Sequence, residues 1–154
     1  MIREYKNSDP AERERVMEIW LSANIEAHGF IREAYWRECY ARTAEAIGNA
    51  EVYVAEEDEQ IAGFIGLDGD NIEGIFVDGN SRCKGVGKSL IDFVKERHAK
   101  LTLCVYEKNE RAAEFYKREG FVSVRKKPDI STGEAEILMK WVSRRVKFDL
   151  SEDQ

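Results

Sequence analysis

The segment Val77-Asp78-Gly79-Asn80-Ser81-Arg82-Cys83-Lys84-Gly85-Val86-Gly87-Lys88-Ser89-Leu90 constrains this chain more than any other stretch. It joins a β-forming run, Ile72 to Val77, to a helical pattern that runs from about Gly85 to His98. Glycines at 85 and 87 let main-chain N–H groups come close to a ligand, and the first turn of a helix adds donors with no partner inside the helix. The positive end of the helix dipole and the side chains of Arg82, Lys84 and Lys88 add charge. Such a loop is a cradle for a diphosphate. Two commoner phosphate loops fail on counting. A P-loop needs glycine five residues before Gly87, where Arg82 stands, and the dinucleotide fingerprint needs a third glycine where Leu90 stands.

The flanking pattern surrounds this loop with one α+β layered domain. Met1 to Tyr5 reads as a short strand. Asp9, Pro10 and Glu12 then mark a helix start with a capping box, and Val16, Ile19, Trp20 and Ala23 recur at helical spacing while Glu12 to Arg15 form a solvated face. A second helix is expected from about Arg32 to Ile47, stopped by Gly48-Asn49. Three strands follow, over Val52–Val54, Ile61–Leu67 and Ile72–Val77, with Gly63 and Gly66 marking close approach of another element. After the loop and its helix come a strand at Leu101–Tyr106, a helix at Asn109–Glu119 ended by Gly120, and strands at Phe121–Arg125 and Glu134–Val142. Residues 1–142 form the domain, and 143–154 a charged C-terminal segment.

Charge balance removes whole classes of partner. Lys plus Arg number 24 against 30 Asp plus Glu, so the net charge of −6 offers no general attraction to nucleic acid or to anionic membranes. No apolar run approaches the roughly 20 residues a membrane span requires, and a cytoplasmic location is expected. Cys39, Cys83 and Cys104 are odd in number and widely spaced, with His28 and His98 the two imidazoles, so neither a disulfide framework nor a metal site is expected.

A second motif, Asn109-Glu110-Arg111-Ala112-Ala113-Glu114-Phe115-Tyr116-Lys117-Arg118-Glu119-Gly120-Phe121, lies one helix and one strand beyond the loop. Together, Arg82-x-x-Gly85-x-Gly87 and this Asn…Ala…Phe-Tyr…Gly-Phe pattern resemble the GNAT superfamily of N-acetyltransferases over about Met1 to Trp141. The run His28-Gly29-Phe30-Ile31 with Tyr35-Trp36 resembles a subgroup of small bacterial members, some of which acetylate protein lysines. The resemblance implies a mixed, mostly antiparallel seven-stranded sheet with helices on both faces. It also implies acetyl transfer from acetyl-coenzyme A to an amine by direct attack in a ternary complex.

Residue roles follow from that resemblance. Coenzyme binding falls to Ile75, Phe76 and Val77 along the strand, to Arg82, Cys83, Lys84, Gly85, Val86, Gly87, Lys88 and Ser89 in the loop, and to Asn109 and Tyr116. A main-chain N–H near Ile75 to Val77 would face the thioester carbonyl, and Tyr116 stands at the position of the general acid. A lysine-like amine is more than about 99% protonated at neutral pH and needs a proton acceptor. Glu73 is the first choice, because it lies four residues before Val77 and so is expected on the same sheet face; the alternative is an ordinary exposed strand glutamate. Some relatives carry a glutamate where this chain has Cys104, which leaves Glu73, His28 or solvent. His28, Phe30, Tyr35 and Trp36 either shape the acceptor pocket or pack the first helices on the sheet. A non-catalytic acyl-coenzyme A sensor is the rival reading, and a homodimer through sheet edges or the C-terminal segment is an open expectation.

Overall fold

Helix caps and tight turns written into the sequence set the element boundaries. In the computed structural model, which describes residues 1–82 and 84–144, strand β1 (Ile2–Glu4) leads through Asp9 into helix α1 (Pro10–Ala27). Asp9 Oδ1 accepts from the Ala11 N–H at 3.0 Å, satisfying a donor that the helix itself leaves open. Helix α2 (Glu33–Asn49) follows, then an antiparallel meander of β2 (Glu51–Glu57), β3 (Gln60–Asp68) and β4 (Asn71–Val77). A single 3-10 turn at Gly79–Ser81 and helix α3 (Val86–Lys95) lead to β5 (Lys100–Tyr106), α4 (Glu110–Arg118), β6 (Val122–Pro128) and β7 (Ala135–Val142).

The sheet order is β1-β2-β3-β4-β5-β7-β6, and β4–β5 is the one parallel neighbour pair. Alternating side chains give each strand two faces. Ile65, Leu67, Ile72, Leu101, Leu103 and Val105 face Leu90, Ile91 and Val94 of α3 and Ala113 and Tyr116 of α4. Val52, Val54 and Phe64 face Val16, Ile19 and Trp20 of α1 and Trp36 and Cys39 of α2. Each fully buried aliphatic side chain contributes roughly 1.5–3 kcal/mol of transfer free energy, so the two layers clamp the sheet between them. This is the seven-stranded α+β architecture that the pattern predicts.

Three local expectations are corrected. Glu12 is neither a capping-box partner nor solvated: it is 6% exposed, and its carboxylate takes Arg3 at 2.9 and 3.1 Å and the Lys6 N–H at 2.8 Å. It thus ties β1 to α1. Gly48 does not stop α2, which runs on to Asn49; a Cβ at Gly48 would stand 3.0 Å from the Asn7 side chain, so the glycine serves close packing against the β1–α1 loop. Helix α3 ends at Lys95 rather than His98, whose Nδ1 lies 2.8 Å from Asp70 Oδ1. Gly63 does mark a close approach, since a Cβ there would stand 2.8 Å from the Phe76 carbonyl and 3.0 Å from Val86.

Burial works to raise the Glu12 pKa, but the Arg3 and Lys6 hydrogen bonds outweigh it and the carboxyl sits below its ordinary value. Its stabilisation is therefore present at neutral pH and is lost as pH falls through the acid range below about 4.3. Arg3→Ala, which strands the buried carboxylate, is expected to cost about 2–3 kcal/mol in urea unfolding at pH 7, discounted for the partial exposure of Arg3. The loss should shrink as pH falls through the depressed folded-state titration of Glu12 and the carboxyl becomes protonated.

Candidate functional site

The site grows from the place where β4 and β5 part. Their parallel pairing consists of Asn71–Thr102 and Ile72–Leu103. At this closed end the Thr102 N–H donates to the Asp70 carbonyl and the Thr102 hydroxyl to Asn71 Oδ1, each at 3.0 Å. Beyond Ile72 the strands share no further register pair among the described residues. The cause lies in β4, where Gly66 faces Gly74 while Leu67 faces Ile72, leaving Glu73 as an extra residue. Such a bulge bends its strand and sharpens the twist. Gly74 permits it: a Cβ there would stand 2.4 Å from the Phe76 ring, which lies across the backbone.

The departure exposes main-chain donors. The Asp78 N–H points at β3, donating to the Ala62 carbonyl at 2.8 Å. Strand N–H groups alternate in direction, so those of Val77 and Ile75 point the other way, into the gap. Ile75, Phe76 and Val77 are half-buried along this edge.

The α3 terminus borders the same gap. Gly85, its N-cap, holds φ +82°, a left-handed conformation that glycine adopts without strain, and no side chain caps the helix. The Ser89 N–H and hydroxyl both turn back to the Gly85 carbonyl, at 3.0 and 2.9 Å, while the amides of the first turn have no intrahelical partner. A Cβ at Gly87 would meet nothing closer than Phe115 at 3.5 Å, so packing within the chain does not demand glycine there; glycine keeps the approach to the helix terminus open. Val86 is buried and docks the turn on β3.

The cationic side chains of the loop are differently placed from the simple picture of a basic cradle. Arg82 pairs with Glu26 of α1 at 2.6 Å, and Lys88 with Glu119 at 3.2 Å and Asp92 at 3.4 Å. Lys84 is exposed. Main-chain amides and the dipole are thus the chief attraction that an anion would meet here, and Arg82 anchors the loop to α1. Cys83 lies outside the described residues.

Tyr116 is buried on α4, with Phe115 and Phe121 rings 5.3 and 5.8 Å away. Burial pushes its phenol up to about 12, so it stays protonated at any physiological pH. Its hydroxyl makes no hydrogen bond among the described residues. Asn109 caps α4, its Oδ1 accepting from the Ala112 N–H at 3.3 Å, and its amide nitrogen lies 3.3 Å from His28 Nε2.

That contact brings the end of α1 to the start of α4. His28 stacks on Trp36 at 5.3 Å and meets Phe30 and Tyr106 edge-on at 5.6 and 5.1 Å, while Tyr35 packs on Trp36 at 5.0 Å. The four aromatic-pocket candidates therefore form one cluster at the open end of the gap. Tyr106, Asp129 and Glu136 belong with them and were not legible in sequence. The Tyr106 hydroxyl donates to Asp129 at 2.5 Å, and Glu136 stands opposite Tyr106 in the β5–β7 register.

Glu73 does not share a face with Val77, because the bulge reverses the alternation. It lines, with Phe76, Phe64, Trp20 and Arg42, a groove of about 700 Å³ on the α1/α2 side, and it accepts from Asn71 Nδ2 at 3.1 Å. Cys104 is exposed on that side too. Burial first, then the carboxylates of Glu136 and Glu73, hold its thiol above the ordinary value. A thiol so disfavoured as thiolate is a poor nucleophile.

Residues 48–123 match the family model described as an acetyltransferase (GNAT) domain. The chain is 38% identical over 124 residues to the peptidyl-lysine N-acetyltransferase YiaC of Escherichia coli K12, covering 79% of this chain and 82% of that protein. The solution structure of apo YjaB from Escherichia coli superposes with a TM-score of 0.80 at 27% identity, over 93% of this chain and 97% of that one. An aminoglycoside 6'-N-acetyltransferase complexed with coenzyme A has a TM-score of 0.73 at 16% identity, over 92% and 96% of the two chains, and shares the fold.

The capping bond of Asn109 fixes which way its amide points, so His28 Nε2 accepts from the amide nitrogen and the imidazole proton resides on Nδ1. Burial lowers the His28 pKa below the ordinary value near 6.5. Nitrogen-resolved NMR is expected to report the neutral Nδ1–H tautomer at pH 7 and a titration midpoint on the acid side of 6.5. Asn109→Ala should redistribute the tautomer and cost about 1 kcal/mol for the lost cap.

Proposed function

The chain belongs to the GNAT acetyltransferase family, and on that premise we propose that it moves acetyl from acetyl-coenzyme A to the side-chain amine of a lysine in a protein or peptide. The open edge of β4 beside the uncapped α3 terminus is the observation that carries the reading. A diphosphate suits the first-turn amides of α3, with Gly85 and Gly87 leaving room and Arg82 holding the loop on α1. The amide-bearing arm of the carrier suits the vacated edge at Ile75, Phe76 and Val77, pairing with it as an added strand. The lysine acceptor draws support from the name of the YiaC relative.

In this account the neutral amine attacks the thioester carbonyl directly. The N–C bond forms as the carbonyl oxygen gathers charge, and the N–H of Val77 or Ile75 donates to that oxygen; such a donor is worth on the order of 3 kcal/mol. Collapse breaks the C–S bond. Tyr116, with its phenol held protonated, donates to the departing sulfur. The amine proton passes through water to a carboxylate on the acceptor face, with Glu73 the nearest to the β4 edge in sequence and Glu136 on the far side of the gap. Burial and the neighbouring Asp129 raise Glu136, moving it towards the range in which a carboxylate serves as a base. These two carboxylates answer the absence of one at Cys104, and so weaken the sensor reading.

Thiol release from acetyl-coenzyme A in the presence of a lysine peptide tests the reaction. Tyr116→Phe is expected to lower kcat by about 10²–10⁴-fold with coenzyme affinity retained. Gly87→Ala should fold with an unchanged melting temperature but weaken coenzyme binding by roughly tenfold or more in calorimetry, and Cys104→Ala should keep turnover. Wild-type levels of thiol release in Tyr116→Phe would remove the acid role. A full loss in Cys104→Ala would overturn direct attack.

A further inference from the structure

Two side-chain nitrogens among the described residues are buried with no hydrogen bond of good geometry, His28 Nδ1 and Trp36 Nε1, although the Asn24 carbonyl also acts on the His28 ring. Trp36 is 8% exposed, and the two rings stack with centroids 5.3 Å apart. Both atoms are donors. The indole nitrogen has no other state, and the His28 Nδ1 carries the proton because Nε2 is engaged by the Asn109 amide. The walls around them, Phe30, Tyr35 and Tyr106, are aromatic, and the Tyr106 hydroxyl is already committed to Asp129. An unmade hydrogen bond at a buried donor is costly, and each such group in a native protein calls for a partner or a functional reason.

We propose that His28 Nδ1–H and Trp36 Nε1–H read a main-chain amide carbonyl of the acceptor, making this pair the element that selects a peptide-borne lysine over a free alkylamine. This rests on the acetyl-transfer reading above and deepens it. An oxygen acceptor of good geometry is what the two buried donors lack. A carboxylate is disfavoured, since Glu73, Asp129 and Glu136 make that side of the gap negative. A neutral amide satisfies the donors and adds no charge. The contact to Asn109 then has a second use: it joins the cap of α4, beside Tyr116, to the donor that grips the acceptor.

The test compares Nα-acetyl-lysine methylamide with pentylamine, which has the same reach and no carbonyl. The full chain is assayed at saturating acetyl-coenzyme A, and the readout is the ratio of the two kcat/KM values. Wild type is expected to favour the lysine amide. Trp36→Phe keeps a ring without its donor and His28→Gln loses the donor at Nδ1, and each should shrink the ratio about tenfold through KM. His28→Asn places an amide nitrogen where Nδ1 stood and should hold the ratio within about threefold of wild type. Acetyl-coenzyme A affinity, measured by calorimetry, should stay within about twofold in all three variants, which also shows that they fold.

A ratio unchanged in Trp36→Phe and His28→Gln would overturn the proposal. So would a parallel loss of coenzyme affinity, which would assign the donors to the carrier arm instead. Failure of the wild type to turn over either amine would overturn the acetyl-transfer reading itself, a result distinct from turnover without discrimination.

Discussion

The bulge at Glu73 is the constraint on which the rest of this molecule turns. One extra residue in β4, admitted because Gly74 lets the Phe76 ring lie against the backbone, bends the strand away from β5 after two register pairs. A fully paired parallel sheet would have left no unbonded strand edge in its centre. The splay leaves the outward amides of Ile75 and Val77 in a gap between two hydrophobic layers, open to water in the free protein and suited to an extended, amide-bearing ligand. The connections after β4 and β5 both run to helix starts at the open end, so the uncapped terminus of α3 and the Asn109 cap of α4 flank the same opening.

The electrostatics of the opening differ between its two ends. On the side proposed for the coenzyme, Arg82 and Lys88 pair with Glu26, Asp92 and Glu119, so they fix the loop in place and would leave binding to the backbone. That arrangement favours preorganisation over raw attraction, since little side-chain entropy would be lost on binding the proposed diphosphate. On the acceptor side, Glu73, Asp129 and Glu136 come from three different strands or loops and give a negative margin. On the proposed reaction such a margin would draw a cationic lysine, and a protein with net charge −6 can present it a local field without any overall bias toward nucleic acid.

Much of this was readable in sequence, for reasons that are local. Asp9, Asn109, Gly85 and Gly120 act on their own neighbours, so the helix boundaries at Pro10, Glu110 and Val86 followed from cap chemistry. The loop and the Phe-Tyr helix were legible because both resemble motifs of the family and the distance from Gly87 to Asn109 leaves room for one helix and one strand. What failed was non-local. The side on which Glu73 falls depends on a slip of register between β4 and β3, and period-two counting within one strand has no access to it. The partners of Arg82 and Lys88 lie 56 and 31 residues away, and that of His28 lies 81 away. Glu12 was misassigned because a capping box and a buried ion pair with Arg3 leave the same residue at the same place in the sequence.

Main-chain amides left open for a thioester carrier are the central requirement of the proposed reaction, and amide hydrogen exchange resolved residue by residue reads them directly. In the free protein, Ile75, Val77 and the first turn of α3 should exchange far faster than the β3-paired Phe76 and Asp78. Saturating acetyl-coenzyme A should slow those same amides selectively. Strong protection of Ile75 and Val77 before any ligand is added, or exchange unchanged at saturation, would contradict it.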